Sequence, residues 1–95
     1  MEWATIQGIM SVEKKDKQNW SSWEEIYSIF NYIKSELLMQ PISVRIISLT
    51  TYGMGIEIYG VLKADMFDEI KQKLDEIVTN LRRLYNVEFT WITGG

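Results

Sequence analysis

Apolar residues recur along this chain with two different periods, and the changes of period divide it into six segments. From Trp3 to Val12, Ala4, Ile6, Met10 and Val12 alternate with Thr5, Gln7 and Ser11. A period of two sends successive side chains to opposite faces and predicts a half-buried strand. Gly8 falls on the inward row, where a missing side chain marks a bulge or a helix packed close to the backbone. Glu13 to Asn19 holds three lysines and two acids without apolar periodicity, so a solvated connection is expected there.

Ser22 and Glu25 have the spacing of a capping box, in which hydroxyl and carboxylate satisfy amides that the first helical turn leaves unpaired. A helix is expected to start there. Trp23, Ile26, Tyr27, Phe30, Ile33 and Leu37 follow at intervals of three and four and form its apolar stripe. Pro41, the only proline, is expected to end the run by disfavouring helical geometry in the residue before it. In the second strand Ile42, Val44 and Ile46 share one face, with Ser43 and Arg45 on the other. The pattern blurs at Ile47 and Leu49, which predicts a bulge or burial on both faces.

Tyr52, Gly53, Met54 and Gly55 read as a hairpin turn, because glycine supplies the positive backbone angles of such turns. The third strand then places Ile56, Ile58 and Leu62 inward and Glu57, Tyr59, Val61 and Lys63 outward, with Gly60 thinning the inward row. Asp65 is the expected cap of a second helix, whose stripe is Phe67, Ile70, Leu74, Ile77, Val78, Leu81 and Leu84. Acids at Asp65, Asp68 and Glu69 and bases at Arg82 and Arg83 complement its dipole. Val87, Phe89 and Trp91 alternate with Glu88 and Thr90 in a last strand.

Two helices with one apolar face each, and four strands with one inward row, are satisfied together if both helices cover the same side of one antiparallel sheet. Right-handed crossovers then give the split βαβ arrangement with strand order 4-1-3-2. The expected class is α+β, a ferredoxin-like βαββαβ domain spanning residues 1–95. This fold hosts many unrelated functions and licenses none by itself.

Composition narrows the field. A chain of 95 residues buries roughly two thirds of its unfolded surface, enough for one core. Ten basic against thirteen acidic residues leave a net charge of −3, which argues against the phosphate-backbone attraction of a dedicated nucleic-acid binder. The start Met1, Glu2, Trp3 does not read as a signal peptide, and no apolar run approaches the roughly twenty residues of a membrane span. With no cysteine there are no disulfides or thiolate metal sites, and a cytoplasmic protein is expected.

The chain also has no histidine, which removes the usual general base, the triads built on it and most zinc sites. No metal or cofactor is expected. The carboxylate pairs Asp65 with Asp68 and Glu24 with Glu25 lie at helix starts, where capping explains them without catalysis. Ile6, Gln7, Gly8 and Ile9 are similar to the opening of the acylphosphatase motif. Val12 stands where that family carries its phosphate-gripping arginine, and the asparagine motif near the second strand is missing, so that assignment is rejected. Gly53, Met54 and Gly55 are followed by neither a lysine nor a helix start and do not form a phosphate loop. Tyr59 lies outward as in RNA-recognition sheets, but the flanking basic and aromatic consensus is absent. No enzyme is expected.

What remains is the sheet face turned away from the helices. Trp3, Thr5, Gln7 and Ile9 fall there from the first strand, Arg45, Ile47 and Leu49 from the second, Tyr59 and Val61 from the third, and Thr90 and Ile92 from the last. A contiguous apolar patch of this kind marks an interaction site, and Trp, Tyr and Arg often carry binding energy. The expected function is a small protein-binding module, dimeric through this face, that regulates or inhibits a partner protein, of a size that suits a phage or mobile element. The strand order also resembles the ACT family, which implies a second reading, a regulatory domain sensing a small molecule between subunits. Trp20, ahead of the first helix, is expected either to staple the helix start or to stand exposed as an anchor.

Overall fold

The computed structural model describes residues 2–38 and 40–93. Six elements follow one another: β1 (Trp3–Lys14), α1 (Trp23–Glu36), β2 (Ile42–Leu49), β3 (Gly53–Lys63), α2 (Phe67–Leu81) and β4 (Tyr85–Thr93). The strands form one antiparallel sheet in the order β2-β3-β1-β4, which is 4-1-3-2 read from the other edge. The fold is α+β and ferredoxin-like, as the alternation of periods predicts.

Both helices lie on one side of the sheet. The even row of β1 (Ile6, Met10, Val12) and of β3 (Met54, Ile56, Ile58, Leu62) meets Ile26, Ile29 and Ile33 of α1 and Ile70, Leu74 and Ile77 of α2 in one buried cluster. Each such side chain contributes about 1.5–3 kcal/mol by leaving water. The stripe of α1 is rotated from the expected one. Ile29 belongs to its centre, while Trp23 and Tyr27 fall on the exposed flank. Leu84 lies beyond the end of α2 and is 71% exposed, so it does not extend that stripe.

The element boundaries show which local signals operated. At the start of α1 the Ser22 hydroxyl accepts the Glu25 N–H at 3.3 Å, while the Glu25 carboxylate accepts from the N–H and hydroxyl of Ser21 rather than from Ser22. The box is present but closes one residue further back. α1 ends at Glu36, and the Leu37 N–H bonds back to Ile33 O at 3.2 Å, so the helix stops before Pro41 can act on it. Asp65 sits in a separate 3-10 turn, Ala64–Met66, and α2 starts after Met66 without a side-chain cap. β1 runs two residues past Val12, and only the rest of the expected connection is irregular, with Asp16 and Lys17 at φ of 58° and 52°.

The β2–β3 turn also differs from expectation. Thr50, Thr51 and Tyr52 make it, with the Thr50 N–H donating to Gly53 O at 2.8 Å and Thr50 Oγ1 accepting from the Gly53 N–H at 3.0 Å. Gly53 and Gly55 are strand residues. A Cβ at Gly55 would lie 2.5 Å from Ser48 Oγ, so a side chain there would force the Ser48 hydroxyl to turn away.

Two irregularities shape the sheet. Between Ile46 and Ser48 the β2–β3 register shifts, leaving Ile47 as the extra residue, and between Gln7 and Gly8 the β1–β4 register shifts, leaving Ile92 as the extra one. The bulge foreshadowed by Gly8 is therefore present, and a Cβ at Gly8 would collide with the Phe89 ring that covers it. Among the described residues, pairing with β2 begins at Gly60 and pairing with β4 ends at Gln7. Trp3–Thr5 and Val61–Lys63 therefore pair, among the described residues, only with each other, a two-stranded ribbon whose helix-side residue Leu62 is buried.

Candidate functional site

The odd row of β1 and β3 faces away from both helices, and their register sets neighbours across it. Trp3 lies opposite Lys63, Thr5 opposite Val61, Gln7 opposite Tyr59 and Ile9 opposite Glu57. From β2, Ser43 lies opposite Tyr59 and Arg45 opposite Glu57, and from β4, Thr90 lies opposite Ile9. The face is thus a stripe along the strands. Trp3 and Val61 stand on the two-stranded ribbon, 64% and 46% exposed, with Tyr59 next at 42%. Ile47 and Ile92, the two bulge residues, are also exposed, while Gln7 and Ile9 are half-buried among their neighbours.

Leu49 is not on this face. The extra residue at Ile47 reverses the alternation, so Leu49 lies opposite Met54. Met54 is a core residue of the helix side, and Leu49 lines a cleft there with Trp20 and Trp23. A period of two carried straight through β2 misplaces it by one residue, and one residue reverses the face.

The centre of the stripe is polar, which corrects the expectation of an unbroken apolar patch. Arg45 donates from Nε to Glu57 Oε1 at 2.7 Å, and Gln7 donates from Nε2 to Glu57 Oε2 at 3.1 Å. These two hydrogen bonds, Arg45 first, hold the Glu57 carboxyl below the usual range. With Ser43 and Tyr59 the three side chains border a shallow hollow of about 370 Å³. Among the described residues Arg45 bonds through Nε, and its side chain is 68% exposed, which leaves its terminal amino groups available at the surface. The arrangement offers donors, acceptors and aromatic area.

No protein-family model matches the chain, and no curated protein matches it. Among solved structures it is similar to one described as "De novo designed protein Foldit4", with 18% sequence identity and a TM-score of 0.45, over 99% of this chain and 100% of that one.

A second cluster of titratable groups lies at the opposite end, on the helix side. Glu25 Oε1 accepts from Lys14 Nζ at 2.9 Å and from both donors of Ser21, and Oε2 accepts from Lys14 Nζ at 2.8 Å and Tyr85 Oη at 3.0 Å. Burial pushes the Glu25 carboxyl up, but Lys14, Ser21 and Tyr85 together outweigh it and hold the group at about 2. Burial first, and then the bond to Glu25, push the Tyr85 phenol up to about 12. This is a clasp joining β1, α1 and β4. Beside it Trp20 proves to be a staple: its indole Nε1–H donates to Thr50 O at 3.0 Å and its backbone N–H to Thr51 O at 2.9 Å.

Among the described residues, no group of three or more His, Cys, Asp or Glu is placed to hold a metal ion, and no helix is long and apolar enough to cross a membrane. The residue missed at the sequence level is Glu57. It was readable as outward, but its pairing with Arg45 and Gln7 depends on register across three strands, for which only the β2–β3 hairpin gives a local cue.

Proposed function

We propose that this chain is a protein-binding module whose working surface is the open face of the sheet, with a second copy of the chain as its first occupant. Through that face it regulates or inhibits a partner protein, without enzymatic activity, in the reducing cytosol. The observation that carries the reading is the exposure of Trp3, Tyr59 and Val61 on the side of the sheet that neither helix covers, beside the exposed bulge residue Ile47. Large apolar side chains grouped on one face gain about 25 cal/mol per Å² when a partner covers them.

The polar centre supports pairing rather than opposing it. In a symmetric dimer the same patch meets itself, and the free guanidinium donors of Arg45 then face acceptors of the same Glu57-centred cluster across the interface. Complementary polar and charged groups across an interface fix its register more than they add affinity.

Multi-angle light scattering tests this. The wild-type chain is expected to run at twice 11.2 kDa at micromolar concentrations, and Trp3→Ala and Tyr59→Ala are expected to run as monomers with unchanged circular dichroism. A wild-type monomer throughout, or a mass that both substitutions leave unchanged, overturns the reading.

A further inference from the structure

The helix side of the molecule ends in a cleft that the sheet-face reading does not use. Its apolar lining is buried Ile26, the half-buried Trp20 and the exposed side chains of Trp23 and Leu49. Its volume is about 510 Å³, within the range of small-molecule pockets, roughly 300–1,000 Å³.

Each wall is set by a separate device. Trp20 is pinned through both of its N–H groups to the β2–β3 turn, and Tyr85 packs against it with ring centroids 6.1 Å apart. Trp23 stacks on Tyr27, with centroids 6.1 Å apart and planes at 29°. Leu49 is turned toward the cleft by the bulge at Ile47. A surface so preorganised loses little side-chain freedom when it is filled.

The lining also states the ligand's chemistry. Asn19, Ser22, Thr50 and Thr51 complete it, so no ionisable side chain lines the cleft. A charged ligand would gain no ion pair from that lining, and the Lys14 ammonium, 5.9 Å from the centroid of the Trp20 ring, is already held by Glu25. Indole walls favour a flat ring stacked against them, and the neutral hydroxyl and amide groups at the mouth suit one or two polar substituents on that ring.

We propose that this cleft binds a neutral, planar aromatic molecule of roughly two or three fused rings, packed against Trp20 and Trp23. The site is independent of the sheet face and does not require a dimer.

The test uses the neutral dye N-phenyl-1-naphthylamine, followed by its own fluorescence, with the wild-type chain, Trp23→Ala, Leu49→Ala and Tyr59→Ala. Saturable binding to wild type is expected, weakened roughly tenfold in Trp23→Ala and in Leu49→Ala and unchanged in Tyr59→Ala. Nuclear magnetic resonance should place the dye-induced shifts at the Trp20 indole N–H and the Leu49 methyls. Absence of saturation, equal binding by both cleft variants, or shifts centred on Trp3 and Tyr59 overturns the proposal. Equal affinity for the anionic analogue 1-anilinonaphthalene-8-sulfonate overturns the assignment of a neutral ligand. Shifts at Trp23 that depend on protein concentration without dye overturn it in favour of a second copy as occupant. Should Trp23→Ala fail to fold, Leu49→Ala carries the comparison.

Discussion

Glu25 shows how much one residue of the capping pattern does once the chain is folded. Its position three after Ser22 predicts a local cap, and the cap is there. Lys14 and Tyr85 also reach its carboxylate from 11 and 60 residues away, and that convergence has no sequence signature. It carries a pH dependence whose sign is fixed. The folded value, about 2, lies below the ordinary carboxylate value of 4.5, so the unfolded chain binds more protons between them and stability is lost as pH falls through that window. Urea titrations between pH 2 and 6 are expected to show a steeper acid loss for wild type than for Glu25→Gln, and parallel curves would refute the clasp. Tyr85 works at the other limb. Its raised phenol contributes stability that is present below pH 10 and lost as pH rises toward 12, so Tyr85→Phe is expected to flatten the alkaline limb of the same titration.

At the scale of elements, apolar spacing located both helices and all four strands, but it resolved their faces unequally. In α2 the stripe from Ile70 to Leu81 is buried as predicted, because polar residues hold every other position and leave one solution. In α1 aromatic and aliphatic residues cover too wide an arc, and only packing against the sheet selected Ile26, Ile29 and Ile33 over Trp23 and Tyr27. Leu74 and Leu84 belong to one periodic series, yet 2% and 71% of them are exposed. Leu74→Ala is expected to cost about 2–5 kcal/mol as a core truncation, and Leu84→Ala to stay within about 0.5 kcal/mol. Chemical denaturation of the two variants decides it, and equal losses would mean that the second stripe continues past the helix end. Turns were the least legible elements. Glycines signalled one at Tyr52–Gly55, whereas threonine side-chain bonding starts it two residues earlier, at Thr50, and the glycines lie in the strand that follows.

The molecule is elongated, 46 × 20 × 19 Å, in keeping with its two long central strands, β1 of 12 residues and β3 of 11. The candidate surfaces lie on opposite sides, the stripe on the open face and the cleft under the first turn of α1. A dimer formed through the open face thickens the particle while its long dimension stays near that of one copy, since packed sheets stand about 10 Å apart with strands nearly aligned. Small-angle scattering is expected to show that change, and a long dimension near twice 46 Å would place the contact at an end of the molecule instead.

Read alone, the order of periods determined the βαββαβ topology, the side on which the helices lie and most of the open face, because alternation and helical spacing are properties of neighbouring residues. Tertiary structure decided what depends on register. A single extra residue at Ile47 sent Leu49 to the helix side, a three-strand alignment brought Gln7, Glu57 and Arg45 together, and competition for one face of the sheet left Trp23 and Tyr27 outside. Each of these turns on where distant segments meet, and a one-residue shift in pairing reverses every side chain that follows it.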